Sequence, residues 1–191
     1  VYEPEHVASK YFCAENKENI EFISGHMRYG LHKLLDKPAS YITFVREPVA
    51  RIVSAYNYVL SIGFLPADST IDDFLDYDFL GNSDAMVRQL VHDAALDANS
   101  SPTTRREHAR SVTQGDFDAA LAAIDERFVF AAPTSRYDEA VLYLARRYGW
   151  PAEQLLDVRS NVSPKALELK DVPQSVRERI LEVNQWDARL Y

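Results

Sequence analysis

Arg46 and Ser54, eight positions apart, are the two side chains best placed in this chain to act together on a ligand. A guanidinium is planar and permanently charged, and it forks onto phosphate oxygens; a hydroxyl adds a donor beside it. Arg46 follows Tyr41-Ile42-Thr43-Phe44-Val45, a β-branched and aromatic run suited to a strand covered on both faces. Pro48, with its fixed φ, suits the first turn of a helix. Eight residues make about two helical turns, so Ser54 comes round to the side of the helix near Arg46. The same residues also fit a plain strand-turn-helix in which Arg46 pairs with Glu47. Arg51 either joins a phosphate site or pairs with an acid such as Glu47.

His26 is the candidate general base, because imidazole exchanges protons near neutral pH. It follows an apolar stretch near Ile20 to Ser24 that reads as the first visible strand. His26 and Arg46 would then both lie at carboxyl ends of strands, where α/β sheets bind ligands. The alternative is a rim histidine bonded to a backbone carbonyl. His32 packs or faces solvent, and His6, His92 and His108 belong to no constellation. No metal site is read: Cys13 stands alone, the histidines lack ligand spacing, and Asp72-Asp73 looks like a helix start. There is no Gly-x-Ser-x-Gly elbow for Ser-His-Asp hydrolysis.

The elements needed to position these groups alternate between strand and helix. A helix is predicted from Tyr29 to Leu35, a strand over Tyr41 to Val45, and a long helix from Pro48 to Ile62 that stops at Gly63. Ala50, Val53, Tyr56 or Asn57, and Leu60 recur along it at helical spacing. Short helices follow at Thr70 to Tyr77 and Asp84 to His92, each after a capping residue. Residues 96–113 are polar and read as a mobile loop. A helix from Asp116 to Glu126 leads to a strand over Arg127 to Ala132. Ser135 is expected to cap a helix running to Tyr148, with Gly149 and Pro151 ending it. One final helix is expected from Pro173 to Trp186. The pattern is α/β, a largely parallel sheet flanked by helices.

The 191 residues are 47% apolar and 12% aromatic, enough for one substantial core and one domain. A net charge of −8 opposes nucleic-acid binding, which draws affinity from clustered Lys and Arg, and it opposes a long polyanionic acceptor. No apolar run reaches membrane-spanning length. One cysteine excludes an internal disulfide and, with abundant Ala and Arg, points to a bacterial cytoplasm rather than a secretory lumen. A Golgi location would need an anchor upstream of Val1. Asn99-Ser100-Ser101 and Asn161-Val162-Ser163 fit the glycosylation sequon, a triplet common by chance.

Taken in full, Arg46-Glu47-Pro48-x-x-Arg51-x-x-Ser54-x-Tyr56 after an apolar strand resembles the 3′-phosphate-binding segment of sulfotransferases that use 3′-phosphoadenosine 5′-phosphosulfate (PAPS). Ser24-Gly25-His26 resembles a Gly-His segment of the carbohydrate sulfotransferases that include the heparan sulfate 2-O-sulfotransferases and bacterial relatives. Asn82 to Leu90, with Met86 and Arg88, is similar to an Asn-x-x-x-Met-x-Arg-x-Leu stretch of that family. Asn161-Val162-Ser163-Pro164-Lys165 and a tail with Asn184, Asp187, Leu190 and Tyr191 complete the likeness.

The resemblance implies a P-loop-kinase-like fold, PAPS as donor, no metal, and transfer to a hydroxyl, expected on a carbohydrate. It implies 3′-phosphate contacts from Arg46, Ser54 and Arg51, and a nucleotide-closing loop with Asn161, Ser163 and Lys165. Arg28 stands where the 2-O-sulfotransferases carry a second His. It is assigned to the acceptor together with Arg88, which can instead pair with Asp84. Arg105, Arg106 and Arg110 read as a solvated charge run or as a steering patch. The family's Gly-rich 5′-phosphosulfate loop is absent from this sequence, so its strand and loop are expected upstream of Val1. The alternatives are an inactive nucleotide-binding or interaction protein on the same fold, and a kinase with a Walker loop and Mg²⁺.

Overall fold

The computed structural model describes residues 19, 22–23, 29–77, 82–91, 111–151 and 167–191. The elements in chain order are a 3₁₀ turn (Leu31–Leu34), β1 (Tyr41–Val45), α1 (Pro48–Ser61), α2 (Ile71–Leu75), α3 (Ala85–Val91), α4 (Gln114–Arg127) and β2 (Phe128–Pro133). A 3₁₀ turn (Thr134–Arg136), α5 (Tyr137–Tyr148), a further turn (Leu169–Asp171), α6 (Gln174–Val183) and α7 (Gln185–Leu190) complete the set. β1 and β2 pair as a two-stranded parallel sheet. The described residues are thus helix-rich with one parallel strand pair, an arrangement consistent with the expected α/β class. The strand expected near Ile20 to Ser24 lies mostly outside them, and Phe22 and Ile23 are not in a strand. Of the polar stretch 96–113, only 111–113 is described, as irregular chain leading into α4.

Residues divide into two compact units: 1–42 with 84–130 and 190, and 43–83 with 131–189 and 191. In the first unit α3 packs against α4, burying Val87 and Leu90 on one helix and Phe117, Ala120 and Ala123 on the other. Tyr29 and Tyr41 each stack on Phe128, at 6.0 and 5.1 Å between centroids, and lie tilted to one another at 5.1 Å. The Tyr41 hydroxyl accepts from the backbone N–H of His32 at 2.9 Å and lies 2.8 Å from its Nδ1. With its lone pair so used, the hydroxyl proton is available to the ring nitrogen. His32 therefore packs. Burial pushes the Tyr41 hydroxyl up, partly offset by the backbone bond from His32.

The second unit is organised by α1. Val49, Ile52, Val53, Tyr56 and Val59 line one face of that helix and meet Leu65, Ile71, Phe74, Val172, Val176 and Ile180. Each such side chain contributes about 1.5–3 kcal/mol when fully buried. Pro48 occupies the first turn, and Gly63 ends the helix at φ +68, a left-handed backbone that a Cβ would strain. Thr70 and Asp73 form a reciprocal cap on α2, as Thr113 and Asp116 do on α4. Arg179 of α6 reaches both Asp72 in α2 and Asp76 just after it.

Three local expectations are corrected. The helix expected over Tyr29 to Leu35 is only a 3₁₀ turn over Leu31–Leu34, entered through Gly30 at a left-handed φ of 105. Ser135 does not cap α5: it lies in a 3₁₀ turn, and Arg136 takes the cap position without a side-chain bond to the helix. The final helix is not continuous to Trp186. Asn184, at φ −126 and ψ 36, breaks it into α6 and α7.

Candidate functional site

The strand-to-helix junction after β1 forms as the residue types require. Val45 ends the strand buried, Arg46 is exposed, and Glu47 caps α1. Glu47 accepts from the backbone N–H of Val49 at 3.0 Å and of Ala50 at 2.7 Å. A helix N-terminus with free amides attracts anions. Here a carboxylate of the chain already takes two of those amides, so an incoming phosphate at this junction would rely on side-chain donors. That requirement fits the exposed guanidinium of Arg46 and the hydroxyl of Ser54, which is half-buried on α1.

Arg51 is held from three directions within its own unit. Its Nη2 donates to Asn184 Oδ1 at 3.0 Å and, more weakly, to the Asn82 carbonyl at 3.5 Å. Its Nε lies 3.6 Å from Asp187 Oδ2. Asn184 and Asp187 are fully buried, whereas the Arg51 side chain retains 19% exposure. Asn184 also donates from Nδ2 to the Ile180 carbonyl at 2.9 Å, and Asn82 donates from Nδ2 to the carbonyls of Phe74 and Tyr77. The break at Asn184 is what turns α7 so that Asn184 and Asp187 both face this guanidinium.

The sequence offers Asn57 only as a residue at helical spacing on α1, with no partner named for it. It lies on the apolar face of α1, 7% exposed, and clamps Leu167 in both directions. Its Nδ2 donates to the Leu167 carbonyl at 2.9 Å, and its Oδ1 accepts the Leu167 N–H at 3.0 Å, across 110 residues. An amide among hydrophobes at helical spacing was the available signal, because a buried amide requires partners. Asn57→Ala should cost about 1–3 kcal/mol of stability by leaving that backbone pair unsatisfied. Urea denaturation checks this, as a lower midpoint at unchanged slope.

Arg88 lies in the last turn of α3, its N–H bonded to the Asp84 carbonyl at 3.0 Å. Asp84 is buried at φ 46, an uncommon backbone for a residue other than glycine. His26, Arg28, Asn161, Ser163 and Lys165 lie outside the described residues. Among the described residues no group of His, Cys, Asp and Glu is arranged to hold a metal ion. Among them, too, no helix is long and apolar enough to cross a membrane.

The family model described as "Sulfotransferase domain" matches residues 2–114, more than half of the chain. Galactose-3-O-sulfotransferase 3 of Bos taurus is 25% identical over 177 residues, covering 88% of this chain and 40% of that protein. The proteins of the same name from Mus musculus and Homo sapiens are each 24% identical over 178 residues, with the same coverage. The chain therefore spans about two fifths of the length of these curated relatives. No solved structure gives a significant match.

Proposed function

We propose, from the premise that this chain belongs to the sulfotransferase domain family, that it takes part in moving a sulfuryl group from PAPS to a hydroxyl of a carbohydrate. The observation that carries this is the junction after β1, where an exposed Arg46 precedes a capped helix bearing Ser54. The names of the matched relatives, which are galactose 3-O-sulfotransferases, support a sugar acceptor. The P-loop-kinase-like fold is the architecture expected for this reading.

PAPS would supply an activated sulfate: the acceptor oxygen bonds to sulfur, the bond from sulfur to the bridging phosphate oxygen breaks, and 3′-phosphoadenosine 5′-phosphate (PAP) departs. Arg46 forks onto the 3′-phosphate and Ser54 donates its hydroxyl to it, fixing the nucleotide end of the donor. His26 accepts the proton lost by the attacking hydroxyl. By the resemblance, Asn161, Ser163 and Lys165 would serve the nucleotide, and Arg28 and Arg88 would serve the acceptor. No metal has a part in these steps.

Thermal denaturation with PAP, set beside ATP with Mg²⁺, tests the assignment. PAP at about 100 times its Kd should stabilise the fold by about 2.7 kcal/mol. Stabilisation by ATP with Mg²⁺ alone would instead identify a kinase, and no response to either would indicate a member that has lost nucleotide binding.

A further inference from the structure

Three stretches that stand far apart in the sequence meet at one guanidinium. Arg51 comes from the Arg-x-x-Ser stretch of α1, Asn82 opens the stretch leading to Arg88, and Asn184 and Asp187 belong to the C-terminal tail, Asn184 being 133 residues from Arg51. Nη2 donates to Asn184 and the Asn82 carbonyl, Nε lies buried 3.6 Å from Asp187 without a hydrogen bond to it, and both tail residues are fully buried. A buried carboxylate facing a guanidinium is costly unless the pair is maintained, so the arrangement fixes where Arg51 sits. Ser54 lies three residues further along the same helix, which places it beside Arg51 on one helical face.

We propose that Asn184 and Asp187 are positioning residues, and that Arg51 is their anchor on α1 rather than a ligand of the nucleotide. The clasp sets the rotation and rigidity of the turn that presents Ser54, and it couples the C-terminal helix to recognition of the 3′-phosphate. Asp187 sets a buried counter-charge 3.6 Å from Arg51, and Arg46 is then the phosphate-directed cation of the segment. The proposal rests on the PAPS reading for its ligand but not for the clasp itself.

The test compares Asp187→Asn and the milder Asn184→Ala with Leu144→Ala, a core truncation on α5 outside the cluster that α1 organises. All are made in the full chain and compared with the unsubstituted protein well below their melting temperatures. Calorimetric titration with PAP should give a Kd raised about tenfold in Asp187→Asn, less in Asn184→Ala, and unchanged in Leu144→Ala. Hydrogen exchange at the Ser54 and Ala55 amides should quicken about tenfold in the clasp variants beyond any change in Leu144→Ala.

Tighter PAP binding in Asp187→Asn would overturn the proposal, because it would show Arg51 to be a phosphate ligand restrained by a competing carboxylate. Exchange and affinity equal to those of Leu144→Ala would also overturn it, reducing the clasp to general stability. Should the unsubstituted protein ignore PAP, the PAPS assignment fails, and the exchange rates at Ser54 still decide the clasp. If Asp187→Asn does not fold, Asn184→Ala provides the same comparison.

Discussion

Replacing Arg46 with alanine is expected to weaken PAP binding roughly 10- to 100-fold in calorimetric titration, the loss that follows from a forked, charge-assisted contact worth about 1.5–3 kcal/mol. The side chain is exposed, and the hydrophobic neighbours that anchor the junction, Val45 and Pro48, are buried on either side of it. Truncation should therefore leave folding intact and remove recognition. Glu47 already takes the amides of Val49 and Ala50, so the helix terminus has little to offer an anion in place of the guanidinium. Arg46→Lys should recover part of the affinity, since an ammonium keeps the charge but loses the fork. An unchanged Kd in a folded Arg46→Ala protein would remove the basis of the assignment.

The second large effect is expected from His26→Ala, with turnover falling by about 10²–10⁴ while PAP affinity stays within error. The separation follows from the role. A base acting on the acceptor hydroxyl contributes only when that proton is transferred, so its loss lowers kcat and leaves product-nucleotide binding untouched. The check is a sulfate-transfer assay with a galactose-containing acceptor, run beside the same titration. Loss of PAP binding with the fold retained would mean that His26 serves the nucleotide instead. Retained turnover would move the base to another residue.

Much of the local architecture was legible because it is set by neighbours in sequence. The apolar run Tyr41–Val45 forms the strand, Pro48 opens the helix, and Gly63 and Gly149 end helices with left-handed backbones. Errors arose where local chemistry offered two solutions. Ser135 has the right side chain for a cap, but the chain forms a 3₁₀ turn there and starts α5 after Arg136. Apolar periodicity runs through the tail past Asn184, but that side chain satisfies itself on Ile180 and Arg51, and the helix breaks.

The sequence by itself determined the order of strand and helix around β1, α1, α4, β2 and α5, and the local form of the junction at Arg46, Pro48 and Ser54. It did so because strand and helix periods, capping and proline geometry act over only a few residues. The tertiary structure decided the partners of the polar groups: Arg51 with Asn184 and Asp187, and Asn57 with Leu167 across 110 residues. A guanidinium beside several acids and amides in sequence has many conceivable partners. Which of them it meets depends on how the helices pack, since buried polar groups are satisfied by whatever the folded core brings within about 3 Å of them.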